Sequence, residues 1–277
     1  MKPTVAIVNT DSLPQAIETI GGLNGLNTPD RKVVVKVGIY NPKTGICSTI
    51  KTVNAIITTF DQASEILIVE SDTGAGPGLK RLEVWKDCYN DRATPFNLST
   101  DEHTQLVEVA GEQIPFAQTL LDPKTFISTH VPRRYEEAGL EDLMNQGFVI
   151  KNLLGLVLDT NKHRFHDQLA TALIDMYEAA GGIDLAVLDA THVFLGWKKK
   201  RFTVSPELLI VGKDAFAVEA IGMHLLGFDP AKMPVLQEAQ ARGLGEINVD
   251  QINIVGDIEG PKQLISHAFS KLVPRSV

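Results

Sequence analysis

Two cysteines, Cys47 and Cys88, are all the thiols in 277 residues. So few exclude a disulfide framework, and two thiols cannot by themselves hold a four-cysteine zinc or iron–sulfur site. Basic residues are also short: 26 Lys and Arg stand against 34 Asp and Glu, a net charge of -8. Broad nucleic-acid binding needs a basic face and is not expected, although a local basic pocket for a small anion is compatible with the balance. No apolar run reaches the roughly 18–20 residues that a bilayer crossing takes. The opening MKPTVAIVNTDSLPQ turns polar too soon for a signal peptide. No membrane partner is expected, and the reading is a reducing, cytoplasmic protein whose oligomeric state is left open.

What is present is a regular alternation. Short β-branched runs at Thr4–Val8, Lys32–Val37, Glu65–Glu70, Lys124–Thr129, Asp184–Leu188, Leu208–Val211 and Gln251–Val255 read as strands. Between them, Thr49–Phe60, Leu79–Asp87, Arg164–Ala179, Ala215–Leu226 and Met233–Arg242 carry helical periodicity. Continuous apolar strands such as ILIV fit a sheet covered on both faces. The expected fold class is therefore α/β, a mostly parallel or mixed sheet with helices on both sides. One domain over 1–277 is expected, with a small irregular insertion or hairpin at about 91–120. Ligands of such sheets sit beyond the carboxyl ends of the strands.

Several polar residues fall near those ends. Lys36 interrupts VVVKVG and either snorkels from an edge or meets a partner or anion. In SDTGAGPGLKRLEVWKD, glycines 74, 76 and 78 precede a helix, but with neither the Rossmann nor the Walker spacing, so a Gly-Pro turn explains them. Glu70, just before, is the better candidate. His130 closes the run TFISTH, with Arg133 and Arg134 following in VPRRY; it reads as a ligand or base, or as part of a solvated loop.

The stretch VIKNLLGLVLDTNKHRFH (Val149 to His166) holds Lys151, Asn152, Lys162, His163 and His166. With a helix starting near Arg164, residues 166, 169, 173 and 176 share one face, so His166 heads a stripe turned to the core. A buried Lys151 would need a partner or an anionic ligand. Asp189 follows the run DLAVL. Asp214 is placed to cap the helix AFAVEAIGMHLLG, whose lone carboxylate, Glu219, is expected either to pair structurally or to belong to a site. WKKKRF reads as a solvated basic loop or a contact for an acidic partner.

Together these motifs resemble the family known as domain of unknown function 362. There, a strand ending in histidine is followed by Ile-Lys-Asn-x-x-Gly and by a downstream Lys and His; here these are FISTH, VIKNLLG and NKHRFH. Farther on the family shows a strand ending in Asp-Ala or Asp-Gly, then Asp-Pro-x-Ala-x-Asp before a helix. Here the equivalents are LAVLDA and KDAFAVEAIGMHLLGFDP, and the likeness is clearest from Thr125 to Gly256. Ser128 stands where a lysine is usual, Ala215 replaces the proline, Glu219 replaces the last Asp, and FLGWKKKRFT replaces a Gly-Pro-rich segment. Some relatives carry ferredoxin-like cysteine clusters that this chain's two cysteines cannot form.

The resemblance implies that His130, Lys151, Asn152, Lys162, His166, Asp189, Asp214 and Glu219 converge. The expectation is an enzyme acting on a small carboxylate or phosphate. Lys36, Lys151 and Lys162 would neutralise the anion, Asn152 would accompany them, and His130 and His166 would serve as acid–base groups. The cofactor is not named by the sequence. A divalent metal would be held by His130, His166, Asp189, Asp214 and Glu219. The alternatives are a non-catalytic module that binds an anion or metal, and a structural assembly protein built on a salt-bridge network.

Overall fold

The apolar runs become strands. In chain order these are β1 (Thr4–Asn9), β2 (Val33–Val37), β3 (Ile66–Glu70), β4 (Ala93–Asn97), β5 (Thr104–Val109), β6 (Glu112–Ala117), β7 (Thr125–His130), β8 (Arg133–Arg134), β9 (Leu185–Ala190), β10 (Val193–Leu195), β11 (Phe202–Val204), β12 (Leu208–Gly212) and β13 (Asn253–Val255). The helices are α1 (Leu13–Thr19), α2 (Ile50–Thr59), α3 (Gly78–Leu82), α4 (Gln118–Leu121), α5 (Leu169–Ala179), α6 (Ala215–Leu225), α7 (Pro234–Ala241) and α8 (Glu259–Ser270). The computed structural model describes residues 2–135, 147–196 and 201–271. Trp197 to Lys200, most of the basic stretch WKKKRF, lie outside them.

Eight strands form one mixed sheet in the order β13-β1-β12-β9-β7-β2-β3-β4, confirming the α/β expectation. Only β12 runs against its neighbours β9 and β1; the other pairs in the sheet are parallel. Side chains alternate between two cores, as the two-residue period of a strand requires. Val33, Val35 and Val37 pack with α1 and α2, whereas Val34 joins α5 and α6 on the opposite face. Full burial of each such residue contributes about 1.5–3 kcal/mol. A lysine in the same strand forfeits that gain, so Lys36 must be compensated.

The chain leaves β2 for β3 and β4 in one direction along the sheet, then returns to place β7 and β9 on the other side of β2. Right-handed crossovers that travel in opposite directions leave their helices on opposite faces. The helix α2 after β2 and the helix α5 after β7 obey this. The β2/β7 boundary is thus a topological switch point, where a crevice opens at the carboxyl ends.

The stretch expected to be an irregular insertion divides in two. Its first part is β4, an edge strand of the main sheet whose Pro95 hid it from a pattern reading, since proline is tolerated only at edges. Its second part is the β5–β6 hairpin, turned by Ala110 and Gly111, both at positive φ. A small sheet of β8, β10 and β11 sits beside the main one and carries Arg133. No helix among the described residues is long and apolar enough to cross a membrane.

Candidate functional site

A cavity of about 280 Å³ lies over the ends of β2, β3 and β7. Gly38, Glu70 and His130 bring the strand ends to it. Lys151, Asn152, Gly155, Lys162, His163 and His166 come from two 3-10 segments, Lys151–Leu156 and Lys162–Gln168. Arg133 and Tyr135 line it from the small sheet, and Ile39, Tyr40, Ile46 and Leu154 supply apolar wall.

Below it is a polar network that answers the question of Lys36. The residue is not at an edge: it is 0% exposed, in the interior of the sheet. Its Nζ donates to Glu70 Oε1, to Asn152 Oδ1 at 3.0 Å and to the Val37 carbonyl at 2.8 Å. The second Glu70 oxygen accepts from Arg81 Nη2 at 2.6 Å, and Arg81 also donates to the carbonyls of Ile39 and Ser71. One carboxylate therefore serves two buried cations. Burial drives the Lys36 pKa down, and Glu70 opposes the drop.

Asn152 closes the switch point itself. Its Nδ2 donates to the Lys36 carbonyl (2.9 Å), Ser128 Oγ (3.1 Å) and the Thr129 carbonyl (3.2 Å), joining β2 to β7. Ser128 uses its hydroxyl to hold the Val149 carbonyl at 2.8 Å. Lys162 donates to Ser71 Oγ at 2.7 Å and to the Val157 carbonyl. Gly155 is required here, because a Cβ would stand 2.6 Å from Lys36 Nζ.

The lining is electropositive. Among the described residues of the lining Glu70 is the one acid, already paired, against Arg133, Lys151, Lys162 and three histidines. Burial, helped by the Arg133 charge, lowers the Lys151 pKa to about 7. Burial lowers Lys162 to about 8, with Glu70 opposing and Lys36 and Arg81 assisting. His130, 4% exposed, is pushed well below its usual value by burial and then by Arg133, Lys36 and Lys151. It is held neutral, and its Nδ1 is buried without a hydrogen-bond partner among the described residues.

His166 departs from expectation. The regular helix begins at Leu169, and the 3-10 segment before it leaves His166 half-buried on the cavity wall. Residues three apart eclipse in such a segment, and the His163 and His166 rings meet edge to face at 4.8 Å. Burial, then His163 and Lys151, lowers the His166 pKa.

The carboxylates proposed for a metal do not join this group. Asp189 is fully buried, and its oxygens accept from Thr49 N and Oγ1 (2.7 and 3.0 Å) and from the backbone and hydroxyl of Thr191. It fastens the end of β9 to the start of α2. Asp214 caps α6 through Phe216 N and Ala217 N, each at 3.0 Å, and also holds Glu246 N. Because β12 runs antiparallel, its carboxyl end lies at the sheet edge opposite the cavity. No group of three or more His, Cys, Asp or Glu side chains suited to a metal occurs among the described residues. His130, His166, Asp189, Asp214 and Glu219 are thus not brought into one group among the described residues.

Glu219 sits behind the cavity wall and accepts from Phe148 N and Ile150 N, so it shapes the turn that presents Lys151. Gly147, at φ +125°, passes so close that a Cβ would fall 2.4 Å from Glu219 Oε1. Burial raises the Glu219 pKa to about 7, opposed by these backbone donors and by Arg133. The unfolded chain therefore ionises this group at lower pH than the folded one. Its contribution is full below the ordinary value of 4.5 and is lost as pH rises to about 7. Denaturant titrations should show wild type losing on the order of 2–3 kcal/mol relative to Glu219→Gln across that window; parallel curves would refute the assignment.

Arg81, Tyr40, Tyr135 and Gly38 were not among the sequence candidates. For Gly38 a signal existed, a glycine directly closing the VVVKVG strand; Arg81 gave none, standing in an ordinary charged helix. A family model described as "Domain of unknown function (DUF362)" matches residues 33–224. No curated protein matches the chain.

Proposed function

The chain belongs to the DUF362 family, and for its cavity we propose an enzyme that acts on a small organic anion, carboxylate or phosphate. The observation that supports this is the imbalance of charge among the described residues of the lining: one acid, already shared by Lys36 and Arg81, against three cations. Desolvated like charges hold each other's pKa down, and an anion relieves that repulsion on binding. Arg133 offers planar, bidentate recognition of the anion, while Lys151 and Lys162 contribute point charges. Lys151 titrates near neutrality and can exchange a proton there, which favours turnover over passive storage. His130, held neutral beside it, is the accompanying proton acceptor.

Sulfate keeps its charge over the working range and is the simplest probe. Calorimetry should find it binding in the millimolar range or tighter, and more weakly as salt is raised. Since Lys151 and Lys162 lose their protons through about 7 and 8, binding takes up protons. Affinity should therefore fall about tenfold between pH 6.5 and 9. Arg133→Met should weaken binding by a further factor of about 10. Absence of binding, or an affinity indifferent to pH and to Arg133, would remove the reading.

A further inference from the structure

We propose that the cavity takes an aromatic carboxylate, its ring against Tyr40 and its carboxylate at Arg133. The assignment rests on the anion-binding reading above and names the class of substrate for that same site. An acid group accounts for only part of the space. At about 280 Å³ the cavity has room for about nine water molecules of roughly 30 Å³ each, and acetate or sulfate would fill well under half of it. The remainder is bounded by Ile39, Tyr40, Ile46 and Leu154. Apolar wall that a small ion leaves wet is the wall that the body of a larger ligand covers.

Tyr40 is the wall residue with the most surface to offer, since its side chain is 59% exposed at the cavity. Its mounting is nonetheless ordered. Ile39, the residue before, is buried, bridges to Cys47 and accepts from Arg81 through its carbonyl. Asn41, the residue after, caps the short turn Pro42–Thr44 by accepting from Lys43 N at 3.0 Å. The Tyr40 hydroxyl lies 3.9 Å from where a Cβ on Gly74 would stand. The ring thus reaches from the loop after β2 to the loop after β3, and the glycine there sets no side chain against it.

The acid belongs at a different wall. Arg133 lines the cavity from β8, and its Nε is buried without a hydrogen-bond partner among the described residues. Its guanidinium is the planar fork that a carboxylate matches. The choice of a ring over an aliphatic chain follows from Tyr40. Paired rings gain about two- to tenfold in affinity beyond the area they bury. A rigid ring also loses less freedom on binding than a flexible chain of the same size. Thr44, Thr73 and Thr160 line the cavity as well, and their hydroxyls suit polar substituents on such a ring.

The test is calorimetry on the full chain with acetate, benzoate and cyclohexanecarboxylate, the last two alike in charge and nearly alike in size. Sulfate is the reference anion. Benzoate should bind at least about 30-fold tighter than acetate. It should also bind about two- to tenfold tighter than cyclohexanecarboxylate. Tyr40→Phe should keep that second ratio, and Tyr40→Leu should bring it to about one. Because Tyr40 is exposed, neither change should cost the fold. Benzoate no tighter than acetate, in a protein that binds sulfate, overturns the inference and leaves the anion reading intact. Equal binding of the two ring acids overturns it as well, as does a preference for benzoate that survives in Tyr40→Leu. Binding of neither sulfate nor benzoate removes both.

Discussion

Glu70→Gln is expected to lower folding stability by about 3–5 kcal/mol, without changing the size of the side chain. The wild-type carboxylate is the shared counterion of Lys36 and Arg81, which are 0% and 1% exposed. A Gln in its place offers one acceptor and two donors to two groups that can only donate. Two buried cations then face each other without compensation, and the cheapest escape is loss of the Lys36 proton. That escape is itself costly at neutral pH, because free lysine holds its proton to about 10.4. Removing one cation should be milder: Lys36→Met leaves the Glu70–Arg81 pair whole and puts an apolar chain among valines. Urea titration of the three proteins should rank them wild type, Lys36→Met, Glu70→Gln. A Glu70→Gln loss below about 1 kcal/mol, the worth of an ordinary exposed pair, would show that the network does not carry this part of the fold.

The second large effect is expected at the cavity floor, from the smallest substitution available. In Gly38→Ala the new Cβ would stand 2.3, 2.4 and 2.7 Å from Nδ1, Cγ and Cε1 of His130. The backbone cannot yield easily, since Gly38 N donates to the Thr129 carbonyl at 3.1 Å, locking it to the strand that carries the histidine. The ring must rotate, and the cavity is the space beside it. We expect sulfate affinity to fall at least about 100-fold, while stability falls by about 1–3 kcal/mol, the usual cost of overpacking. Adding His130→Ala removes the obstruction, so the double variant should melt above Gly38→Ala alone. If the two changes were additive in stability, the clash would not be the cause.

Much of the sheet was legible because β2, β3, β7, β9 and β12 are buried on both faces and must be apolar throughout. Strand β4 was not, since its edge position permits Pro95 and partial exposure. Helices α1 and α8 escaped notice for a related reason: each starts around a proline and buries only a few residues. In the site, Lys36, His130, Lys151, Asn152, Lys162 and His166 do meet around one cavity and the network beneath it. Charge in an apolar run marks a group that needs a partner, and a sequence states that need reliably. It does not state who the partner is. Asp189, Asp214 and Glu219 had the same signature, yet their partners are backbone N–H groups and, for Asp189, two threonine hydroxyls. A motif after a strand also points to the ligand only when the strand runs with its neighbours, and β12 does not.

The order of strands has a consequence for how the molecule assembles. Strand β1, first in the chain, pairs with β12 and β13 and so must wait for partners roughly two hundred residues later. Strands β2, β3, β4 and β7 need only segments within the next hundred residues or so. Closing long loops is entropically slow, so the parallel block that carries the switch point should gain protection early. Strand β1 and its pairings with β12 and β13 should gain it last, as a distinct slow phase in pulsed hydrogen exchange during refolding. Until then the free flank of β12 is an unpaired edge, the surface through which a half-folded chain would aggregate.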